Sequence, residues 1–461
     1  MVLTSILEIL LDFKGLLLFV VAFLLVADYV KNRNPPNYPL GPFSLPLLGN
    51  VFNIDSKEPH IYLTKLGHAY NNIFSLRLGR DKVVFITGYK LVKEALVTQA
   101  ENFVDRPYSP VQWRVYSGNA GLFFSNGEMW KKQRRFALST LRNFGLGKKT
   151  MELAICEGSR FLLDEIDKQK GAVFDPTILF NKAVSNIICQ MVFGQRFDYA
   201  NHQFRTMLKY IYKSIQLEGS IWGQLYEAFP AIMKHLPGPH NYMFSNLIKN
   251  TATYFTSSIP DQKPHETADG FDEENIVPCV LDLFLAGTET TCTALCWGLI
   301  YLITYPEVQE KVQEEIDDKC FIPKATLPIL HSVLFDENEW ETPYKFNPGH
   351  FLDKEGKFVR RDAFMPFSAG KRVCLGEQLA RMELFLFFVS LFRKCRFSAA
   401  EGEKLNLDGV IGVTRTPGPL QDPCNGTLRK YCLIHLYWLY FRSLKTSTLV
   451  CILVKANATS T

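Results

Sequence analysis

The sequence has no Cys-x-x-Cys pair among its 11 cysteines, and that count is odd. Both facts argue against a disulfide scaffold or a structural zinc site and for reduced thiols in a reducing compartment. No Gly-x-Gly-x-x-Gly fingerprint occurs, so the chain carries no dinucleotide site of that kind, and electrons for any redox chemistry must come from elsewhere. Charge is sparse: 21% of residues are charged and the net charge is +5 over 461 residues, too little to point to nucleic acid as a partner. Repeats and low-complexity tracts are absent as well. What remains is a globular composition, 47% hydrophobic with 36 phenylalanines, and a length that holds one large domain or two to three ordinary ones around a sizeable core.

Two long apolar runs stand out. The first, "GLLLFVVAFLLVA" from Gly15 to Ala27, is followed by Asp28, Lys31, Arg33 and then "PPNYPLGP". It is shorter than the roughly 20 residues of a spanning helix, and a signal peptide is the competing reading. No small-residue cleavage site follows, so residues 1–34 read as an uncleaved anchor whose basic flank keeps the rest in the cytosol. Residues 35–46, rich in proline, read as a stiff, extended hinge. The second run, Ile276 to Pro306, contains Asp282, Glu289 and several threonines, which lipid does not tolerate well. It therefore reads as the core helix of a large protein.

A thiolate site is suggested by "FMPFSAGKRVCLGEQLA", Phe364 to Ala380. Most intracellular cysteines are inert core residues. Cys374, however, lies between Gly370 and Gly376, which permit close backbone approach to a flat ligand. A helix begins just after it, presenting N-terminal amides to the sulfur, and Arg372 adds a cation two residues away. Phe367 supplies an apolar cover that limits water at the sulfur. Such a loop suits a thiolate that ligates iron.

Phe367, Gly370, Arg372, Cys374 and Gly376 match the Phe-x-x-Gly-x-Arg-x-Cys-x-Gly signature, and the chain resembles the cytochrome P-450 family of heme-thiolate monooxygenases on that account. The resemblance implies a mainly α fold with small β-sheets behind an N-terminal membrane anchor. It implies heme b (iron protoporphyrin IX) with Cys374 as the metal ligand, and electrons from NADPH delivered by an NADPH-cytochrome P-450 reductase, with cytochrome b5 as a further donor. Its setting is the endoplasmic reticulum membrane, with membrane lipid as a partner, the catalytic domain on the cytosolic side and lipophilic small molecules as substrates.

Other stretches agree with it. In "GEMWKKQRRFAL", Trp130 and Arg134 are four apart on one helix face. A surface stack is the ordinary explanation of such a pair, but in the family it holds a heme propionate, and Arg106 and Arg372 resemble the further propionate arginines. In "AGTETT", Thr290 can hydrogen-bond back to the carbonyl of Ala286, and Gly287 leaves space beside it. The motif matches the family's central helix, where Glu289 and Thr290 become an acid–alcohol pair that positions a water and supplies protons. Lys131, Lys132 and Lys371 are either a docking patch for an acidic electron donor or simply solvated. Phrases such as "LRNFGLGKK", "KHLPGPH" and "FLAGTETT" look most like the J-type subfamily of the second microsomal family, which implies epoxidation and hydroxylation of polyunsaturated fatty acids such as arachidonate, and of xenobiotics.

The resemblance is interrupted in three places. Residues 245–272 are shorter than the family's corresponding region. Near residues 320–322, "EKVQEEIDDKC" runs directly into "FIPKATLPILHSVLFDENEW", leaving no K-helix with its Glu-x-x-Arg and no first strands of the main sheet; His350 should then lack its partners. From 418 to 461 an atypical tail replaces the usual final strands, so the monooxygenase domain spans 47–417. Two classes of function follow: an active monooxygenase, or a membrane-anchored, catalytically inactive remnant that at most binds.

Overall fold

The computed structural model describes residues 13–54, 59–79, 81–116, 118, 120–145, 149–242, 273–318, 336–399, 405, 407, 409–411, 414–417 and 433–435. The interruptions expected at 245–272 and 320–322 lie outside these residues, as does nearly all of the tail. The chain divides into two compact units, Met1–Leu91 and Val92–Thr461.

In the first unit, helix α1 (Phe13–Lys31) carries the apolar run, and most of its apolar side chains are exposed. Helix α2 (Pro59–Ala69) precedes a β-hairpin of β1 (Ile73–Leu78) and β2 (Asp81–Ile86). The strands are antiparallel, with Phe74 opposite Phe85 and Leu78 opposite Asp81. That register closes a two-residue loop whose first residue, Gly79, has φ +62°. Alternation along β1 buries Phe74 and Leu76 on one face.

The second unit is a stack of helices. Its order is α3 (Pro110–Tyr116), α4 (Gly127–Asn143), α5 (Lys149–Asp167), α6 (Pro176–Phe193), α7 (His202–Gly219), α8 (Ile221–Ala228), α9 (Glu273–Thr304), α10 (Pro306–Asp318) and α11 (Glu377–Lys394). Sequence signals set the ends of α6. Asp175 accepts the N–H of Thr177, Pro176 fills the first turn, and Gly194 ends the helix at φ +67°. The core lies where α9 packs along α6 and where α11 packs against α5, with Phe180, Ile187, Phe284, Leu295, Phe387 and Phe388 fully buried. Gly298 allows the closest approach: a Cβ there would stand 2.2 Å from the ring of Phe388. The apolar run of α9 is thus an interior helix, as its acids and threonines suggested.

Short strands finish the unit. β3 (Arg396–Ser398) pairs with β6 (Leu433–His435), and β4 (Gly409–Ile411) pairs with β5 (Arg415–Pro417), both antiparallel. The tail therefore contributes a strand. Trp297 of α9 donates its indole N–H to the Arg415 carbonyl at 2.9 Å, which seats β5 beside the central helix.

Candidate active site

The cysteine loop is built by its own backbone. The N–H of Cys374 donates to the Phe367 carbonyl at 2.9 Å, folding the loop back on itself. Gly370 adopts φ +72°, and a Cβ on it would stand 1.8 Å from the Leu96 carbonyl oxygen. This glycine therefore answers to protein backbone, not to a flat ligand as expected. Gly376 is the opposite case, since a Cβ there would meet no atom within 4 Å. It stands just before α11, and its N–H and that of Glu377 favour the ionised form of the Cys374 sulfur. Cys374 is exposed on its open side, yet the protein packed behind it pushes the thiol above its ordinary value, with Glu377 adding to the rise and Arg134 opposing it. The cation felt by the sulfur is Arg134 of α4, not Arg372.

Arg372 turns the other way. Its guanidinium donates to the carbonyls of Val104 (2.7 Å), Ser125 (2.8 Å), Phe123 (3.3 Å) and Leu122 (3.4 Å), and to Asn126 Oδ1 (3.2 Å). It also stacks 3.9 Å over the Trp130 ring. The residue expected to neutralise a thiolate and hold a propionate is thus a strut between the cysteine loop and segment 104–126. Burial, reinforced by Arg106, lowers its pKa to about 10.

Trp130 and Arg134 share a face of α4, with the guanidinium 5.7 Å from the ring. Arg134 also donates to the Val373 carbonyl, tying α4 to the residue before the cysteine. Trp130 is buried, and its indole N–H has no acceptor among the described residues. Arg106 is held through its backbone by a reciprocal pair of hydrogen bonds with Asn126. Three guanidiniums therefore gather beside an unused indole donor. A buried donor without an acceptor is unfavourable, and so are like charges together. An anionic group with several oxygens resolves both, and the carboxylates of heme fit. Gly376, open where a Cβ would point, fits a flat ring as well.

On α9 the back-bond of Thr290 is present, with Oγ1 donating to the Ala286 carbonyl at 2.7 Å. The helix remains continuous, so the threonine does not open it. Gly287 does not make a notch for a small molecule. A Cβ on it would stand 2.6 Å from Ile188 Cδ1, so it exists to let α6 approach. Glu289 is buried and accepts from Thr414 Oγ1 at 2.9 Å, while Thr290 bonds to its own helix. Burial raises the Glu289 pKa, and its threonine partners partly offset that. The acid and alcohol are neighbours in sequence without sharing a hydrogen bond.

Three features escaped the sequence reading. Asp282 of α9 is buried and accepts from Tyr116 and from the N–H groups of Leu122 and Phe123, pinning the loop before α4; a Cβ at Gly121, φ +78°, would collide with it. Glu383 of α11 is fully buried with its carboxyl toward Thr291, and burial holds its pKa well above the usual carboxylate range. An acid inside "MELFLFF" was the available signal. His350 is not stranded: its Nε2 accepts the Thr342 N–H at 3.2 Å and lies 2.9 Å from Thr342 Oγ1, with Trp340 against its ring. Among the proximal lysines, Lys131 pairs with exposed Glu128 and Lys371 with exposed Glu101.

A glycine-framed cysteine at a helix N-terminus, facing a cluster of arginines and an indole donor within a helical unit, defines a heme-thiolate class of protein. A profile of the family Cytochrome P450 matches residues 39–320 and 318–421. Human Cytochrome P450 2J2 is 42% identical over 477 aligned positions, covering 88% of this chain and 94% of that protein. Cytochrome P450 2J1 of Oryctolagus cuniculus is 40% identical, with 88% and 94% covered, and Cytochrome P450 2C23 of Rattus norvegicus 36%, with 88% and 97%. The chain belongs to the cytochrome P450 family and, within it, sits among the microsomal enzymes of family 2. By that membership it is a monooxygenase using heme b, with electrons from NADPH through a reductase, lipophilic substrates and an endoplasmic reticulum membrane setting.

Proposed function

We propose that the chain inserts one oxygen atom into polyunsaturated fatty acids of the arachidonate type, by epoxidation and hydroxylation, and into lipophilic xenobiotics. In this reading α1 anchors it in the membrane, the catalytic unit faces the cytosol, and cytochrome b5 is a second electron donor. The observation that carries the site is the convergence of Trp130, Arg106 and Arg134 on the Cys374 loop. Likeness to the J-type relatives supports the substrate class, and the exposed apolar residues of α1 support the anchor.

Cys374 would ligate the iron, Phe367 would cover the sulfur, and Trp130, Arg106 and Arg134 would hold the propionates, with Ala286 against the ring. When bound, heme supplies activation of dioxygen and transfer of one oxygen atom to a C–H or C=C bond. Thr290 Oγ1 spends its hydrogen on Ala286, so its exposed oxygen accepts from a water and orients it. Glu289, whose pKa is raised by burial and partly lowered again by its threonine partners, would relay protons toward that water. Carbon monoxide difference spectra of the reduced protein test the ligand assignment. The red-shifted Soret band of a thiolate is expected, and its survival in Cys374→Ala would refute the assignment.

One observation favours the second reading, an inactive, membrane-anchored remnant. The family profile matches in two pieces that meet at residues 318–320. Against human Cytochrome P450 2J2, 88% of 461 residues, about 406, is spread through 477 positions, so about 70 positions have no counterpart here. Both agree with loss of the K-helix segment near 320–322. Restoring that segment and comparing heme per protein and turnover decides between the readings; equal values in the two proteins would remove the second.

A further inference from the structure

The end of α1 is not free. Asp28, three residues before the helix stops, is partly buried, and its carboxylate receives both terminal nitrogens of Arg77 on β1, one at 2.8 Å. It also accepts from Asn32 Nδ2 at 2.9 Å and the Leu47 N–H at 3.1 Å. Arg77 is held in turn, since its Nε donates to the Gly79 carbonyl at 2.9 Å and its N–H to Asn50 Oδ1 at 2.9 Å. The proline-rich stretch between them is bonded to the same hairpin. Lys82 Nζ donates to the Arg33 carbonyl, Ser75 Oγ to that of Pro39, and the Ser75 N–H to that of Leu40. Gly41 lies so close to Ser75 that a Cβ would stand 1.9 Å from its carbonyl oxygen.

We propose that the Asp28–Arg77 pair is a clamp that fixes the exit angle of the membrane helix, so that α1 and the β1–β2 hairpin tilt on the bilayer as one body. A bidentate arginine–carboxylate bond sets direction as well as distance, which a lysine or a single hydrogen bond does not. Residues 35–46, expected to act as a linker, then lie along β1 and transmit that angle. The inference rests on the anchor reading of α1.

The test uses the full chain with nitroxides on noncanonical residues at Val26 and Val84, both exposed, and pulsed dipolar spectroscopy in detergent and in lipid nanodiscs. A narrow distance distribution is expected. Asp28→Asn and Arg77→Leu should each broaden it toward the roughly 15–20 Å spread of about ten free residues. The double variant should be no broader than either single one, because both remove the same bond. Arg77→Lys, which keeps charge but not the fork, should fall between and serves if a harsher variant misfolds by circular dichroism. An unchanged distribution in Asp28→Asn, or additive broadening in the double variant, would overturn the clamp. Alkaline carbonate extraction tests the anchor separately. Release from membranes would overturn that reading, while the measurement in detergent still decides the clamp.

Discussion

Replacing Asp282 by asparagine should stabilise the protein at neutral pH and leave it nearly unchanged near pH 4. The reason lies in how the carboxylate is used. One oxygen accepts the Tyr116 hydroxyl, and the other accepts two backbone N–H groups, from Leu122 and Phe123. Burial still dominates these three bonds and raises the pKa from 3.8 to about 6. Between those values the folded state holds a proton that the unfolded state has released, so stability falls as pH rises from about 4 to about 6 and is flat above. A rise of about two pKa units corresponds to ~3 kcal/mol, of the order of a fifth to a half of a typical net stability. In Asp282→Asn the amide oxygen can take both N–H groups and the NH2 can donate to Tyr116, so every partner is kept and the ionisation penalty disappears. Asp282→Ala instead strands two buried amides and should lie about 2–5 kcal/mol below Asp282→Asn at every pH. Urea unfolding of the three proteins from pH 4 to pH 8 measures this. Taking the difference between Asp282→Asn and wild type cancels the buried acids that do not feel Asp282; Glu218, raised to about 7 by burial and further by the Asp282 charge, cancels only in part. A difference that stays flat across that range would refute the reasoning.

Three further outcomes follow from the same geometry. Gly287→Ala should destabilise by about 1–3 kcal/mol through overpacking, and adding Ile188→Val, which removes the offending Cδ1, should recover most of the loss in thermal unfolding. Arg372→Leu leaves acceptors on segment 104–126 without their charged donor and should lower stability by about 2–3 kcal/mol; Arg372→Lys should rescue little, because an ammonium cannot span the five acceptors. Thr290→Ala should raise peroxide release per NADPH consumed while oxidised product falls, and unchanged coupling would mean that the hydroxyl does no more than bond to Ala286.

The signals that shape the helices and the hairpin are local. The Asp-Pro cap and Gly stop of α6, the alternation in β1 and the four-residue spacing of Trp130 and Arg134 each need only a few neighbouring residues. What was not legible depends on residues far apart in the chain. Arg372 finds its acceptors about 250 residues earlier, and Asp282 finds Leu122 and Phe123 about 160 residues earlier. His350 is a different case: its bond to Thr342 is nearly local, eight residues back, yet no pattern in the sequence announced it.

The two glycines of the cysteine loop show why a motif can be read correctly as a whole and wrongly in part. Both looked like concessions to a flat ligand. Gly370 is required by a left-handed backbone and by the Leu96 carbonyl, so any side chain there is excluded by the protein alone. Gly376 has an ordinary backbone and open space around it, so nothing in the protein's own packing demands glycine. One position is thus constrained by folding, while the protein's own packing leaves the other open, although each is simply a glycine in the signature. The distinction predicts different failures. A side chain at 370 should distort the loop with or without cofactor, whereas alanine at 376 should leave the unloaded protein intact and show its effect only when heme is added.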